Sequence, residues 1–457
     1  MYDLSAEFNK FYRNKVVLPA TVQNELREKK KLNIKRLKDG LLEYNQENGT
    51  SYKICEDRVQ GSMAMHTVVQ NDEKDYDIDV AIVFEKDNLN NLGPLATRNM
   101  VADALKRKTA QFNAEPEVKT SCVRIKYAEG YHIDFAIYRR YKENETDNEY
   151  KYEHAGAEWT ERGIRALEDW FGTEINNKGK NLRKIIRFSK MFCKSRDSWV
   201  NMPSGLIQTV ICDEKLDSYD RIDELFYYTM ENVINRLEDS IEVNAPVDNN
   251  RSLTTREIDK TRVNNWKNRL STQKEKMQIL FEEECTRDQA IEAWQTFFNH
   301  DYWSSFLNKN INEICYEKRS VAYSDTEEFI EDMYDIDEKY DVLIDCRVMG
   351  NGFTLMPIVE FLDKYAIRFG KFIPHNFSVR AKVSYTTAPT YDKVLWKVRN
   401  VGEEAEKRND IRGQILDRGT EITENTLFAG QHYIECYLIK NNVCVGIGHV
   451  KVPIGIK

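Results

Sequence analysis

Two carboxylates stand at the head of an apolar run in Asp77-Ile78-Asp79-Val80-Ala81-Ile82-Val83-Phe84. The run is rich in β-branched residues and shorter than a typical helix, so it predicts a buried strand. Side chains two residues apart on a strand point to the same face of the sheet. The carboxylates of Asp77 and Asp79 are therefore predicted to lie together at the start of this strand.

A third carboxylate occurs in a second apolar run, Tyr131-His132-Ile133-Asp134-Phe135-Ala136-Ile137. An adjacent strand can bring Asp134 beside Asp77 and Asp79. Three carboxylates on one sheet face repel each other, but they suit two Mg²⁺ ions that bridge a triphosphate, because Mg²⁺ prefers oxygen ligands. Ions held there lower the pKa of an acceptor hydroxyl and stabilise a pyrophosphate leaving group. The expected cofactor is therefore a pair of Mg²⁺ ions, for which Mn²⁺ can substitute.

A phosphate-binding turn is predicted before the first strand, at Gln60-Gly61-Ser62. A glycine lets the backbone approach a phosphate closely, the serine hydroxyl adds a donor, and the free N–H groups of a helix predicted over 63–69 favour anions. His66 and His132 flank these motifs. A metal-activated hydroxyl beside Asp134 already has a base, so neither histidine is predicted to be catalytic.

The pattern of apolar and polar residues changes along the chain and predicts three domains. Helical periodicity over 5–44 precedes a β-rich region over 54–138, in which Glu129-Gly130 marks a hairpin turn. Helical periodicity returns from 158 to about 317, with a polar loop at 243–252 and a long helix at 254–284. After an acidic segment at 325–341, short strands predict an all-β sandwich: 342–348, 377–384, 395–401, 432–439 and 443–452. The expected domains are 1–155, 156–325 and 341–457.

The motifs resemble a known signature. Gln60-Gly61-Ser62, Thr67, Asp77, Asp79 and Asp134 are similar to the motifs of nucleotidyltransferases related to cyclic GMP-AMP synthase and oligoadenylate synthase, specifically the bacterial CD-NTases (the SMODS family) of antiphage defence. The resemblance covers about residues 1–320. It implies an α+β fold, with a helical N-terminal spine, a polymerase β-like nucleotidyltransferase palm and a helical lobe that closes the active-site cleft.

The same resemblance implies roles for individual residues. Asp77 and Asp79 would hold both metals, and Asp134 would hold the catalytic metal and activate the acceptor hydroxyl. Gly61 and Ser62 would grip the donor triphosphate, with Gln60 also counted among the nucleotide-binding residues. In the resembling enzymes a Lys and a Ser of the helical lobe contact the outer phosphates of the donor, which implies that role for Lys190 and Ser204. The alternatives are a solvated lysine on a helix and a serine that only caps a helix.

The C-terminal region carries a second resemblance. Its motifs are similar to the adenylyl/guanylyl and SMODS C-terminal sensor domain over about 60 residues: 395–405, 411–413, Thr426, 430–432 and 435–437. Trp396 and Tyr437 are predicted to fill the core of the sandwich. The resemblance implies a module that senses a regulatory ligand and controls synthesis. The alternative is a module that shields the helical lobe or mediates oligomers.

The composition of the chain limits the binding partners and the cellular location that are expected. The 457 residues include 67 Lys and Arg against 75 Asp and Glu, a net charge of -8, so the chain as a whole has no footprint for coating nucleic acid. Long duplex nucleic acid is an unlikely activator, although the basic helix at 183–194 leaves a local groove open. No apolar run reaches the ~20 residues of a membrane helix, and the nine Cys are scattered, so a cytoplasmic chain with reduced thiols and no membrane contact is expected.

The function implied is synthesis of a cyclic di- or oligonucleotide second messenger from nucleoside triphosphates, with release of pyrophosphate. A downstream effector would bind the product in CBASS-type antiphage defence. One alternative product is a linear oligonucleotide, including one made from deoxynucleotides, and another is a nucleotide transferred to protein or RNA. A non-enzymatic alternative is a nucleotide sensor with a vestigial palm, against which the intact set of three aspartates argues. The base at each position of the product is not predicted.

Overall fold

The computed structural model describes residues 1–70, 76–111, 115–307 and 327–455. The chain divides into two compact units, residues 1–308 and 309–457. The first contains the motifs around the three aspartates, and the second contains the C-terminal strands. None of the helices in the described ranges combines the length and the apolar character that a membrane crossing requires.

A seven-stranded mixed sheet forms the centre of the first unit. Its strands are β1 Ile54–Gln60, β2 Asp77–Glu85, β3 Glu117–Val118, β4 Val123–Lys126, β5 His132–Tyr141, β6 Lys151–Ala155 and β7 Trp159–Glu161. Five of them follow the order β1-β2-β5-β4-β3, while β6 pairs with β5 and β7 pairs with β6. The central pair, β2 and β5, is parallel, and the other pairs are antiparallel. The strands predicted from the apolar runs, and the palm that the family resemblance implied, are therefore confirmed.

The first unit also contains ten α-helices in the described ranges: α1 Ser5–Phe11, α2 Ala20–Asn48, α3 Gly61–Ala64, α4 Pro94–Arg107, α5 Ala166–Lys178, α6 Asn181–Cys193, α7 Gly205–Lys215, α8 Ile222–Asp239, α9 Glu257–Glu275 and α10 Arg287–Phe298. A π-helical turn, Tyr12–Val16, follows α1, and short 3₁₀ turns occur at Asp87–Leu89, Gln278–Phe281 and Asp301–Phe306. A small hairpin joins β8 Asn244–Ala245 to β9 Asp248–Ser252.

The helix α2 covers one face of the sheet. Its buried residues Ile34, Leu37 and Leu41 recur at helical spacing and share a core with the strand residues of β2 and β5. The helix α4 packs against α2 so closely that a Cβ at Gly40 would lie 1.8 Å from the Ala104 carbonyl oxygen. Only glycine permits this approach of the two backbones, which fixes both helices on the sheet that carries the aspartates.

An aromatic core holds the helical part of the first unit together. Phe8 of α1 contacts Phe188, Trp294 and Trp303 with ring centroids 4.5–5.3 Å apart. Edge-to-face pairs of this kind add to the burial of large apolar side chains. The first helix of the chain therefore packs among α6, α8 and α10, whereas α2 packs on the sheet.

Several predicted elements of the first unit are wrong in extent. The helix predicted over 63–69 is the four-residue α3, because His66 adopts a left-handed backbone with φ of 51° that ends it. The hairpin β8–β9 replaces the polar loop at 243–252, and the helix predicted over 254–284 ends at Glu275. The β6–β7 hairpin crosses the predicted boundary at 155/156, and residues 308–317 of the predicted helical region lie outside the described ranges.

The second unit is the predicted β-sandwich. Its strands are β10 Asp335–Ile336, β11 Val342–Met349, β12 Met356–Pro357, β13 Ser378–Thr386, β14 Lys393–Arg399, β15 Arg412–Asp417, β16 Glu421–Asn425, β17 Gly430–Lys440 and β18 Val443–Ile454. Three short helices, Ile358–Lys364, Ala366–Phe369 and Glu403–Lys407, and a 3₁₀ turn at Ile330–Asp332 complete it. A five-stranded sheet, β10-β18-β17-β14-β15, packs on a four-stranded sheet, β12-β11-β13-β16.

The core between these sheets confirms the predicted role of Trp396, which is 1% exposed and donates its indole N–H to the Gly419 carbonyl. Tyr437 is also buried, at 3% exposure, but it packs with Leu395 and Ile415 in a separate cluster on the other face of the five-stranded sheet, because neighbouring residues of a strand point to opposite faces. The sandwich includes residues before the predicted start at 341, because β10 pairs in parallel with β18. The three short helices were not predicted, since each is too short to show a helical period in the sequence.

Candidate active site

The turn at Gln60-Gly61-Ser62 leaves the sheet directly beside Asp79. In the β1–β2 pairing Gln60 lies opposite Asp79, and Gly61 then turns with φ of 64°. A Cβ on Gly61 would lie 2.3 Å from Asp79 Oδ2, so both the backbone angle and the lack of space require glycine. The predicted phosphate turn and the first pair of aspartates are therefore adjacent.

The parallel pairing of β2 with β5 assembles the three aspartates. Asp79 lies opposite Asp134, and Asp77 lies two residues earlier on the same strand as Asp79. The Asp77 side chain is 55% exposed, whereas that of Asp134 is 12% exposed. Burial, together with the charges of Asp77 and Asp134, raises the pKa of Asp79 to about 7. The predicted juxtaposition of the carboxylates is present, and together with burial it raises the pKa of Asp79.

A cation that sequence reasoning missed is part of this cluster. Arg124 on β4 lies opposite Asp134 and holds it through two hydrogen bonds of 2.6 Å, from Nε to Oδ1 and from Nη2 to Oδ2. The same Nη2 lies 3.5 Å from Asp77 Oδ1. These hydrogen bonds raise the pKa of Arg124. The sequence did contain a signal for Arg124, because a hairpin that turns at Glu129-Gly130 places Arg124 opposite Asp134.

The donor chemistry of the cluster fits a divalent cation, although the aspartates are not arranged around one. Among the described residues no three His, Cys, Asp or Glu side chains form a ready metal cage, and Arg124 takes both oxygens of Asp134. The carboxylate oxygens of Asp77, Asp79 and Asp134 are nevertheless the ligands that Mg²⁺ prefers. Burial, followed by the charges of Asp77 and Asp134, raises the pKa of Asp79 in spite of Arg124.

A fourth carboxylate, also missed, occupies the phosphate turn. Glu168 in the first turn of α5 accepts a hydrogen bond of 3.0 Å from the Gly61 N–H. Burial raises the pKa of Glu168, and its charge contributes to the raised pKa of Asp79. The Gln60 side-chain amide donates to the Ile164 carbonyl at 2.6 Å, which fixes the start of the turn from the same side. Nothing local in the sequence connects residues so far apart.

Lys190, on helix α6 of the helical lobe, contacts the segment that follows the phosphate turn. Its Nζ donates to Thr67 Oγ1 at 2.8 Å and to the Thr67 carbonyl at 3.2 Å. Burial, with the neighbouring charges of Arg187 and Lys194, lowers the pKa of Lys190 to about 7. A Cβ on Gly205 would lie 3.2 Å from this Nζ. The lysine is buried rather than solvated, so that alternative to a nucleotide-binding role is excluded.

Ser204 and the two histidines considered in the sequence, His132 and His66, have ordinary structural surroundings. Ser204 caps α7, with its hydroxyl accepting from the Ile207 N–H at 3.4 Å, which is the capping role considered for it. The His132 ring Nδ1 lies 3.4 Å from Asp77 Oδ1, and His66 is 8% exposed. The nucleotide-binding assignments of Gln60, Gly61, Ser62, Lys190 and Ser204 stay predictions.

A cavity of about 770 Å³ opens beside these groups, within the size range of ligand sites. Three of the predicted site residues line it: Ser62, Asp77 and Lys190. Tyr76 and Trp199 supply aromatic surfaces, and Trp199 also packs under the Arg196 guanidinium, 4.3 Å from its ring centroid. The cavity therefore joins carboxylates, a buried lysine and aromatic rings, which are the elements needed to hold a nucleoside triphosphate.

Two regions of the chain match known protein families. Residues 56–138 match the family described as "Cyclic GMP-AMP synthase DncV-like, nucleotidyltransferase domain", and residues 324–455 match the "Adenylyl/Guanylyl and SMODS C-terminal sensor domain". A curated relative, the cyclic GMP-AMP synthase of Escherichia albertii, is 21% identical over 91% of this chain and 88% of its own length.

Solved structures show the same fold over about two thirds of the chain. The Vibrio cholerae DncV cyclic AMP-GMP synthase, in complex with the linear intermediate pppA(3′,5′)pG, superposes with a TM-score of 0.52 at 17% identity, over 66% of this chain and 97% of that one. Escherichia coli DncV bound to 3′-deoxy GTP superposes with a TM-score of 0.52 at 18% identity, over 66% of this chain and 98% of that one.

The sheet, its paired aspartates and the glycine turn define a nucleotidyltransferase of the polymerase β-like class. The chain combines a region that matches the DncV-like nucleotidyltransferase domain with a region that matches the adenylyl/guanylyl and SMODS C-terminal sensor domain, and in this combination it is similar to a CD-NTase fused to that sensor.

Proposed function

We propose that the protein joins nucleoside triphosphates into a cyclic di- or oligonucleotide second messenger and releases pyrophosphate. The relative from Escherichia albertii, which spans nearly the whole chain and is named for a cyclic dinucleotide product, supports this reaction. The product serves antiphage defence of the CBASS type by binding a downstream effector, and the sensor domain controls its synthesis. The observation that carries the proposal is the register of Asp79 opposite Asp134, beside the Gly61 turn.

The three aspartates would hold two Mg²⁺ ions, or Mn²⁺ in their place. Bound ions would stabilise the charge that develops on the phosphates and the leaving pyrophosphate. The Asp134 carboxylate accepts the proton of the acceptor hydroxyl. The hydroxyl oxygen then forms a bond to the α-phosphorus of the donor while the bond from this phosphorus to the β-phosphate oxygen breaks. Arg124 positions Asp134 for this role through its two hydrogen bonds.

The donor triphosphate is held from two sides. Gly61 and Ser62 contribute donors from the palm, once Glu168 releases the Gly61 N–H. Lys190 contributes from the helical lobe, where an arriving phosphate raises the pKa of its ammonium group and keeps it charged. The N–H groups at the start of α7, which Ser204 caps, add a favourable dipole beside Lys190. Trp199 and Tyr76 offer surfaces for stacking a base.

The test is incubation of the purified full-length chain with a mixture of four labelled ribonucleoside triphosphates and Mg²⁺ or Mn²⁺. Mass spectrometry is expected to reveal a product with neither a terminal phosphate nor a free triphosphate, resistant to phosphatase. The double variant Asp77→Ala plus Asp79→Ala is the inactive control. A product that phosphatase digests would assign a linear oligonucleotide instead. No phosphodiester product under any condition, including with phage components, would overturn the proposal.

A further inference from the structure

The π-helical turn Tyr12–Val16 contributes one residue, Lys15, to the lining of the active-site cavity. The turn is closed by a hydrogen bond of 2.9 Å from the Val17 N–H to the Tyr12 carbonyl oxygen, five residues apart. Single turns of this kind are rare, and many of them lie at functional sites. The N-terminal segment therefore takes part in the wall of the cavity, although none of the predicted site residues belongs to it.

The π-helical turn is fixed to the segment that follows the phosphate turn. Val17 forms a β-bridge with Val69. The Gln70 side-chain amide donates to the Val17 carbonyl oxygen at 2.7 Å and to the Asn14 carbonyl oxygen at 3.1 Å. These bonds hold the backbone on both sides of Lys15.

The same turn packs on the helix that carries Lys190. The Tyr12 hydroxyl accepts a hydrogen bond from Arg187 Nη1 of α6, and the Lys184 ammonium lies 5.8 Å from the centroid of the Tyr12 ring. Arg187 and Lys190 are three residues apart, so they share one face of this helix. Lys15 and Lys190 therefore reach the cavity from adjoining parts of its wall.

The contacts also give the order of the two lysines along the wall. The Thr67 N–H donates to the Ser62 carbonyl oxygen at 2.8 Å, and Lys190 Nζ donates to Thr67 Oγ1. The bridge at Val69, beside Lys15, comes two residues later in the chain. Counted from Ser62, Lys190 is therefore reached first and Lys15 lies beyond it.

The Lys15 ammonium is available to a ligand. Lys15 is partly buried, and within the described ranges it forms neither a hydrogen bond nor an ion pair. Its ammonium lies 5.5 Å from the centroid of the Tyr302 ring. Arg196, which also lines the cavity, instead donates to the carbonyl oxygens of Thr296 and Phe297. The N–H donors of Lys15 suit phosphate oxygens.

The charge of the cavity also favours phosphate. Among the described residues its lining has more cations than carboxylates: Lys15, Lys190, Lys194 and Arg196 against Asp77 and Asp197. Asp197 is exposed, and Asp77 is one of the proposed metal ligands. A cleft lined by an excess of positive charge concentrates anions.

We propose that Lys15 is a phosphate-binding residue that contacts the terminal phosphates of the donor and then the departing pyrophosphate. The inference rests on the proposed function, because it requires a donor triphosphate held by Ser62 and Lys190. The β- and γ-phosphates of this donor then extend along the wall toward Lys15. When the bond from the α-phosphorus breaks, the pyrophosphate keeps the electron pair of that bond. The Lys15 ammonium stabilises the added negative charge as a hydrogen-bond donor and keeps its proton.

The test is calorimetric titration of the full-length chain with Mg²⁺ and two sets of nucleotides. The α,β-methylene analogues of ATP and GTP cannot release pyrophosphate and carry all three phosphates, whereas AMP and GMP lack the terminal two. Lys15→Gln is expected to weaken binding of the analogues about tenfold, the loss of one charge-assisted hydrogen bond, and to leave the affinity for AMP and GMP unchanged. Inorganic pyrophosphate is expected to bind the wild type and to lose about the same factor in the variant.

Two further variants separate this role from a structural one. Lys35→Gln makes the same change of charge at a lysine of α2 that is 73% exposed, and it should leave every affinity unchanged. Lys15→Arg keeps the charge and the donors, so it should recover most of the lost affinity for the analogues. Because Lys15 bonds to no other described residue, neither replacement of it should disturb the fold.

Three results would overturn the inference. They are equal losses for the triphosphate analogues and the monophosphates in Lys15→Gln, unchanged affinity for the analogues and pyrophosphate in that variant, and no saturable binding of pyrophosphate to the wild type at about 1 mM, the weak end of the affinity scale. Every readout is a binding constant and is independent of product formation. A chain that makes a cyclic product but gives one of these results contradicts only the role of Lys15. A chain that binds pyrophosphate through Lys15 but makes no product contradicts only the proposed reaction.

Discussion

Replacing Asp79 with asparagine should stabilise the metal-free protein at neutral and alkaline pH. The folded site raises the pKa of Asp79 from 3.8 to about 7 through burial and the charges of Asp77, Asp134 and Glu168, which Arg124 offsets only in part. Between these two pH values the folded chain keeps a proton that the unfolded chain has lost. The free energy of unfolding therefore falls as the pH rises from about 4 to about 7 and stays reduced above that.

The size of this effect follows from the shift. About three pKa units, at roughly 1.4 kcal/mol each, give a destabilisation on the order of 4 kcal/mol at pH 8. At pH 5 only about one unit of the difference has developed, which leaves less than about 2 kcal/mol. Asparagine has nearly the shape of a protonated aspartate and carries no charge at any pH. Asp79→Asn should therefore recover this energy, with a gain that is larger at pH 8 than at pH 5.

The measurement is urea denaturation of wild type and Asp79→Asn in EDTA at both pH values. Hydrogen exchange of peptides that span β2 reports on the first unit separately from the sandwich. Asp77→Asn is the matched control, because its side chain is 55% exposed and its removal should only lower the pKa of Asp79 and give a smaller gain. Mg²⁺ should stabilise wild type more than Asp79→Asn. A difference between the two proteins that is the same at pH 5 and pH 8 would refute the reasoning.

Three further predictions concern the nucleotide site. Because the pKa of Lys190 is about 7, binding of a fluorescent triphosphate in EDTA should strengthen as the pH falls from 9 to 6; Lys190→Arg, which stays charged, should flatten this dependence, and an unchanged slope in that variant would contradict it. Gly61→Ala places a Cβ 2.3 Å from Asp79 Oδ2 at a φ of 64°, so turnover should fall about a hundredfold, while Gly93→Ala, with no atom within 4 Å, should retain it. Glu168→Gln keeps an acceptor for the Gly61 N–H but removes a charge, so the KM for the donor triphosphate should fall roughly threefold to tenfold; a KM that rises would show that this charge assists binding.

The strands of the site were predictable because their sequence pattern is local. The apolar runs after Asp77 and around Asp134 are long enough to indicate strands. Because Asp77 and Asp79 are two residues apart, their side chains lie on the same face of the sheet. The sequence predicted that these two strands can lie side by side but did not predict their parallel order. The sandwich was likewise recognised from short strands between turn residues.

The residues that contact the aspartates and the phosphate turn were harder to predict from the sequence. Arg124 lies within one hairpin of Asp134, so a register count from Glu129-Gly130 would have found it. Glu168 reaches Gly61 across the interface between α5 and the palm, and no sequence period connects the two residues. The helix predicted after Ser62 is wrong in extent because a left-handed residue, His66, interrupts it, and although histidine is enriched among left-handed residues, only a few per cent of non-glycine residues adopt that conformation.

The parallel pairing of β2 with β5 also has a consequence for the order of folding. Asp79 and Asp134 stand 55 positions apart, so their approach requires closure of a long loop, which slows the step that completes the sheet. Arg124 and Asp134 meet within a single hairpin, which closes much faster. We therefore expect Asp134 to reach β2 already paired with its arginine. The chain then brings a neutral pair, rather than a third bare anion, to the two aspartates as the sheet closes.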